Sequence, residues 1–310
     1  MTSTLVQKLI NPKVVGEIES YATAFQTAKP FPNLSIDDFF KPEQLSELLQ
    51  QFPSLDESAV RVEDSTGKKS RASLNRGTSD ISKFPPAFAQ LDKLMSDPEF
   101  LSIIERITGI DGLVYDPRYL GGGIKVSNNG ARLPRHIDFN YHQSDSSLLR
   151  CLNLLFYFNT DWDEKWGGNI QVHDADRINE GDSLVRQYAP IAGRLFMFAT
   201  NKVSYHAFDA INAPADPGRK SFGVYFYKKV SVENAPTRNT TMYVEDGLPD
   251  HLTVGASLTE SDISALKFML SRRDTRISDL YNRLNKREQE IGNLFKQNQN
   301  LRERLANMEK

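Results

Sequence analysis

Two histidines and one carboxylate are the side chains in this sequence best placed to act together. In His136-Ile137-Asp138 the outer residues are two apart. On an extended segment an imidazole and a carboxylate at that spacing point to the same side and can converge on one ion. A second histidine, His206, lies well downstream, after the apolar run Arg194 to Phe198. Two imidazoles and a carboxylate on one face of a metal leave three positions open, a donor set that suits iron(II) and its reaction with dioxygen. Alone, a His-x-Asp is more often an ordinary loop tripeptide than a site. Here it opens an ordered series: an apolar strand, Trp166-Gly167-Gly168, another strand, His206, and then Arg219 at the head of an aromatic strand. Arg219 offers a planar, permanently charged fork that grips a carboxylate bidentately. Tyr157 adds a phenolic donor for the same carboxylate. Lys220 competes with Arg219, but neighbours on a strand face opposite sides, so only one of them can serve.

The remaining histidines have plainer readings. His142 lacks a regularly spaced partner and reads as solvent-exposed or substrate-facing. His173, beside Asp174 and Asp176, reads as a strand-end residue in a polar turn, and His251 stands alone in a loop after Pro249-Asp250. Gly121-Gly122-Gly123 is followed by no Lys-Ser/Thr pair and is not a phosphate loop. Tyr225 to Tyr227 reads as strand core and not as a base-stacking platform, because no basic groove sequence accompanies it.

The elements that must position these residues change character along the chain. Helices and loops come first: Pro42 to Leu49, opened by proline in its first turn, then Pro86 to Met95 and Asp97 to Ile107 with apolar residues three and four apart. Between them lies a polar loop, Glu63 to Ser79, with Lys68, Lys69, Arg71 and Arg76; it reads as solvated, with a basic substrate lid as the alternative. From Gly121 short apolar and aromatic runs alternate with turn residues, which predicts strands at Ile124 to Ser127, Leu149 to Asn159, Asn169 to His173, Arg194 to Phe198 and Ser221 to Lys228. A double-sheet jelly roll fits these strands.

At this point the residues carry a family resemblance. Arg135-His136-Ile137-Asp138, Asn153 to Trp162, Trp166-Gly167-Gly168, Tyr205-His206 and Arg219 to Tyr227 resemble the prolyl 4-hydroxylase-like branch of the 2-oxoglutarate/iron(II) dioxygenases. Pro30-Phe31-Pro32-Asn33-Leu34 and Phe39-Phe40 look like that branch's entry segment, so the likeness spans most of residues 30 to 228. It implies a mainly β (α+β) fold with flanking helices around a double-stranded β-helix, the jelly roll. It also implies His136, Asp138 and His206 as iron ligands, Arg219 as the 2-oxoglutarate arginine, and Tyr157 as the family's strand tyrosine. Implied too are Fe(II), 2-oxoglutarate and O2 as reactants, ascorbate as a stimulant, and hydroxylation of a peptidyl proline. The same chemistry on a small molecule or a sugar- or lipid-linked metabolite is the first alternative; a non-catalytic scaffold is the second. One departure is that the strand before His-x-Asp, Ile124-Lys125-Val126-Ser127, lacks the tyrosine of some prolyl hydroxylases. Asp138 stands where a halogenase of the family would have a small residue, which favours hydroxylation.

Composition bounds the partners. The 310 residues are 39% hydrophobic and 25% charged with net charge -2, ordinary globular values that give no reason to expect nucleic acid or an anionic membrane as partner. A single cysteine, Cys151, and an N-terminus without a signal peptide's apolar core lead us to expect a soluble cytoplasmic protein. No stretch approaches the roughly 20 apolar residues needed to span a bilayer. Ser261 to Lys310 contains no proline and only Gly292, and its apolar residues fall three and four apart. Leu270, Ile277, Leu284, Ile291, Asn298 and Leu305 form one seam position of a heptad; Leu266, Arg273, Leu280, Arg287, Leu294, Leu301 and Met308 form the other. This predicts a C-terminal coiled-coil helix and a parallel homodimer, with Asn298 setting the register. The expected division is a dioxygenase domain over 1–257, helical to about 115 and jelly roll over about 116–230, and a coiled-coil helix over 258–310.

Overall fold

The structure is a computed structural model that describes residues 4–53, 75–179, 182–214, 217–231, 235–244, 248 and 251–308. Its contacts divide the chain into two compact units at 247/248. The expected polar loop from Glu63 lies outside the described residues as far as 74; its end forms a strand.

In the first unit the helices are α1 (Thr4–Leu9), α2 (Pro12–Gly16), α3 (Ile18–Thr27), α4 (Pro42–Gln50), α5 (Pro86–Met95) and α6 (Pro98–Thr108). Helix α6 shows why they form where they do. Asp97 caps it by accepting from the amides of Glu99 and Phe100, Pro98 fills the first turn, and Gly109 ends it at φ 69°. Such a cap is worth about 1 kcal/mol, and the positive φ is a conformation that glycine adopts without a Cβ penalty. Phe100, Ile103, Ile104 and Ile107 lie on one stripe and are all buried.

The strands are β1 (Asn33–Ile36), β2 (Asn75–Thr78), β3 (Val114–Tyr115), β4 (Gly123–Ser127), β5 (Leu133–Ile137), β6 (Leu148–Tyr157), β7 (Ile170–His173), β8 (Leu184–Tyr188), β9 (Leu195–Ala199), β10 (His206–Phe208), β11 (Arg219–Lys229) and β12 (Met242–Tyr243). They form two antiparallel sheets. One runs β1-β9-β6-β11-β4-β2, with β3 also on β11, and the other runs β12-β5-β10-β7-β8. This is the expected jelly-roll core with its flanking helices.

Alternation along the long strands separates two cores. Leu152, Leu154 and Phe156 of β6 and Phe222, Val224 and Phe226 of β11 pack with the helices, including Phe88, Phe100 and Ile104. Tyr157, Phe196 and Phe198 of the larger sheet meet Ile170 and Val172 of the smaller, closing the space between the sheets. The five predicted strands are all present within one or two residues of their expected ends. Strands β1, β2, β3, β5, β8, β10 and β12 lie outside those five, being short or, as in β8, exposed and without an apolar face.

The second unit is dominated by α7 (Glu260–Met308), 49 residues long. Thr259 and Asp262 form its capping box: Asp262 accepts from the Thr259 amide and hydroxyl, and the Asp262 amide donates back to Thr259 Oγ1. The apolar seam residues Leu270, Ile277, Leu280, Leu284, Ile291, Leu294, Leu301 and Leu305 are 51–64% exposed. Among the described residues no helix is long and apolar enough to cross a membrane.

Candidate functional site

Seventy residues separate His136 from His206 in the chain, yet they are direct cross-strand partners where β10 pairs antiparallel to β5. Their ring centroids lie 4.2 Å apart. Asp138 follows immediately after β5, its Oδ1 3.6 Å from His136 Nε2 and its Oδ2 3.6 Å from His206 Nε2. One ligand atom from each of the three lies within 4.8 Å of the others, and they are the one such group that could hold a metal ion among the described residues.

Each imidazole is aimed by its own strand. His136 Nδ1 lies 2.8 Å from the Pro134 carbonyl oxygen and His206 Nδ1 2.9 Å from that of Ser204. A carbonyl only accepts, so both Nδ1 atoms carry the proton and donate, leaving both Nε2 lone pairs for a cation. Burial pushes the His206 imidazole down to about 3, with His136 adding to the effect, so it is a neutral ligand at ordinary pH. Burial alone would raise the Asp138 carboxyl; Arg150 first, then His206 and His136, outweigh it and hold the group well below the usual carboxylate range. The donor set thus fits a hard-to-borderline divalent ion such as iron(II).

Arg219 begins β11 and is 6% exposed. Its Nε donates to the Gly168 carbonyl at 2.6 Å and its Nη2 to the Tyr157 hydroxyl at 3.1 Å. The guanidinium sits over the Phe208 ring, 4.5 Å from its centroid. No carboxylate among the described residues forms an ion pair with it; Asp209 interacts with it only at longer range, so the guanidinium fork is left for an anionic ligand. Burial raises the Tyr157 hydroxyl while Arg219 opposes the shift, and the phenol keeps its proton to donate. Lys220, on the opposite face, points to Phe52, 5.6 Å from its ring centre.

The local sequence explains the placement. Gly167 and Gly168 have φ of 73° and 69°, and a Cβ on Gly167 would meet the Ala210 carbonyl oxygen at 2.1 Å. That turn brings the Gly168 carbonyl to Arg219. Asn159 brackets the arginine from the other side, donating to the Gly218 carbonyl and accepting from the Lys220 amide. The two ends of the site meet one inter-sheet cluster, Tyr157 within it and His206 tilted against its Phe198, ring centroids 4.5 Å apart.

Three further features touch the site without having been expected. Arg150 and Asn153 bond to Asp138 Oδ2. Residues 236–244 strap back over β5: Asn239 Nδ2 donates to the Asp138 carbonyl, and Tyr243 stacks on His136 with centroids 5.2 Å apart. Short strands and single polar residues such as these leave no period in the sequence. His142 corrects its expectation: it is buried, 3.4 Å from Asp116 and edge-on to Tyr227. His173 ends β7 but is also buried, against Ser183 and Gln171. His251 has a partner, Asp262 at 2.7 Å.

The sequence model of the 2OG-Fe(II) oxygenase superfamily matches residues 122–227, the stretch that contains all three metal-site residues, Tyr157 and Arg219. The chain carries a 2OG-Fe(II) oxygenase domain. This enzyme is therefore a dioxygenase that depends on Fe(II) and 2-oxoglutarate. Among solved structures it is similar to a prolyl hydroxylase from Trichoplax adhaerens in complex with a hypoxia inducible factor oxygen degradation domain peptide fragment, at 18% identity over 70% of this chain and 94% of that one, TM-score 0.49. It is also similar to a prolyl-4-hydroxylase from Pseudomonas putida, at 17% identity over 67% and 99%, TM-score 0.42. A third is a prolyl 4-hydroxylase structure from Phytophthora capsici, at 20% over 87% and 74%, TM-score 0.45. No curated protein matches the sequence.

Proposed function

We propose that this oxygenase hydroxylates a peptidyl proline, with iron held by His136, Asp138 and His206 and the far carboxylate of 2-oxoglutarate held by Arg219 and Tyr157. The observation that carries the assignment of residues is the pairing of a two-imidazole, one-carboxylate cluster with a buried guanidinium that forms no ion pair among the described residues, both bordering one inter-sheet core. When bound, iron(II) and 2-oxoglutarate supply the oxidising power, with 2-oxoglutarate leaving as succinate and carbon dioxide. The chain's own residues bind and orient. His136 and His206 present fixed Nε2 lone pairs, Arg219 neutralises the far carboxylate, and Tyr157 donates to it. Phe198 and Phe208 keep water from the two ends. Peptidyl proline as substrate follows the sequence resemblance around these residues.

The test is 2-oxoglutarate consumption by the purified chain with and without Fe(II), followed by mass spectrometry of candidate proline-bearing peptides. Iron-dependent turnover with a gain of one oxygen on proline is the expected result. Turnover that oxidises only a small molecule would overturn the substrate, and no turnover at all would overturn the site.

The same reading takes 1–257 as the catalytic part and 258–310 as a separate helix that pairs two chains in parallel. The exposed heptad seam of α7, broken at Asn298, supports the homodimer, since two facing amides satisfy each other only in register. A cytoplasmic home is in keeping with the lone Cys151, buried and free.

A further inference from the structure

We propose that Arg150 and Asn153 are positioning residues that turn the Asp138 carboxylate so that Oδ1 alone is offered to the metal. This rests on reading His136, Asp138 and His206 as the iron site.

Arg150 and Asn153 are three apart on β6, and on a regular strand they would face opposite sides. The register against β11 shows why they do not. Phe226 lies opposite Leu152 but Tyr227 lies opposite Arg150, so Cys151 is passed over as the extra residue of a β-bulge. Cys151 and Leu152 both pack into the helix-side core, and Arg150 returns to the side of Asn153.

There the three polar side chains close a ring. Arg150 Nε donates to Asn153 Oδ1 at 2.9 Å, Arg150 Nη2 donates to Asp138 Oδ2 at 2.9 Å, and Asn153 Nδ2 donates to the same oxygen at 2.8 Å. Thr200 Oγ1 adds a donor to Asn153 Oδ1 at 3.3 Å, which fixes the orientation of the amide. The guanidinium itself is locked, 1% exposed, with Cζ 3.4 Å from the centre of the Tyr225 ring. Two donors occupy both lone-pair directions of Oδ2. Oδ2 therefore cannot turn to the metal, although it lies 3.6 Å from His206 Nε2, and Oδ1 is left facing His136.

By charge alone a guanidinium beside a metal ligand opposes the incoming cation, so its value in this place is geometric. A carboxylate chelating through both oxygens would take a fourth coordination position. 2-Oxoglutarate and dioxygen together need three, and a clamped Oδ2 keeps all three open.

Mn(II) is a suitable probe, because the water exchanging on it is read directly by proton relaxation in the full chain. In the unaltered protein the bound ion should carry the relaxation of three exchanging waters. Because the clamp needs both donors, Arg150→Met or Asn153→Leu opens one lone-pair direction of Oδ2 to the ion, and the inner-sphere relaxation per bound ion should fall by about a third, with Mn(II) affinity weakened about 10- to 100-fold. Arg150→Lys, which with Asn153 keeps both donors to Oδ2, should retain the parental relaxation. If Asn153→Leu, with Arg150 in place, binds Mn(II) at unchanged relaxation per ion, the ring only supports the fold and the clamp is overturned, whether or not Arg150→Met folds. If the unaltered chain fails to bind Mn(II), the metal-site reading itself is wrong and the clamp falls with it.

Discussion

The inter-sheet site and the helix α7 are built on opposite principles. At the site, residues separated by up to 83 positions, from His136 to Arg219, are brought together by strand pairing, and His136, Asp138, His206 and Arg219 are each held by a named hydrogen bond. Along α7 the organisation is local: a capping box opens the helix, a seven-residue repeat runs through it, and its apolar seam stays exposed. A buried convergent site tolerates little change at any member. An exposed periodic seam spreads its function over many equivalent residues, so single substitutions there should matter less.

The largest effect should come from the metal site. His206→Ala should abolish Fe(II)-dependent consumption of 2-oxoglutarate, and Asp138→Gly should stop hydroxylation, while thermal unfolding shows both folds largely intact. Loss of the fold in Asp138→Gly would make that residue structural and blur the contrast with the helix. Next comes Arg219→Ala, which removes a charge-assisted contact worth roughly 1.5–3 kcal/mol and should weaken 2-oxoglutarate binding by about 10- to 150-fold. Unchanged affinity in a titration would move the role to Lys220.

The helix is tested by mass and not by activity. Sedimentation at micromolar concentration should show the full chain at twice its monomer mass and a chain ending near Leu258 as a monomer that still turns over 2-oxoglutarate. A monomeric full chain would remove the dimer; a dimeric truncated chain would place the interface in the catalytic part. The smallest effect concerns pH. Burial first, with Arg135 adding to it, lowers His173 from 6.5 to about 4. Because the unfolded chain binds this proton more readily, the contribution of His173 to stability is whole above about 6.5 and is lost as pH falls through about 4. Thermal unfolding between pH 7 and 4 should therefore decline more steeply than in His173→Gln; parallel curves would show that His173 does not contribute.

The comparison also separates what was legible from what was not. The strong strands were, because β6, β9 and β11 are long apolar and aromatic runs bounded by turn residues, and α7 was, because its period runs for dozens of residues. The short strands β5, β10 and β12 carry the site or cover it, yet three to five residues, or two in β12, offer too little pattern to recognise. His142 was misjudged because its partner Asp116 is 26 residues away. Arg150 and Asn153 were invisible as a pair, since their spacing places them on opposite faces until a bulge intervenes.

From the sequence alone came the kind of chemistry: the donor types at 136, 138 and 206, the permanent charge at 219, and the change from alternating strands to a heptad helix. These depend on side-chain chemistry and local period, which a linear string contains. Tertiary structure alone decided that His136 and His206 are cross-strand partners, that Arg219 is buried without an ion pair among the described residues, and that one passed-over residue, Cys151, turns Arg150 onto Asp138. Register, bulges and burial arise from contacts between distant segments, and no local spacing encodes them.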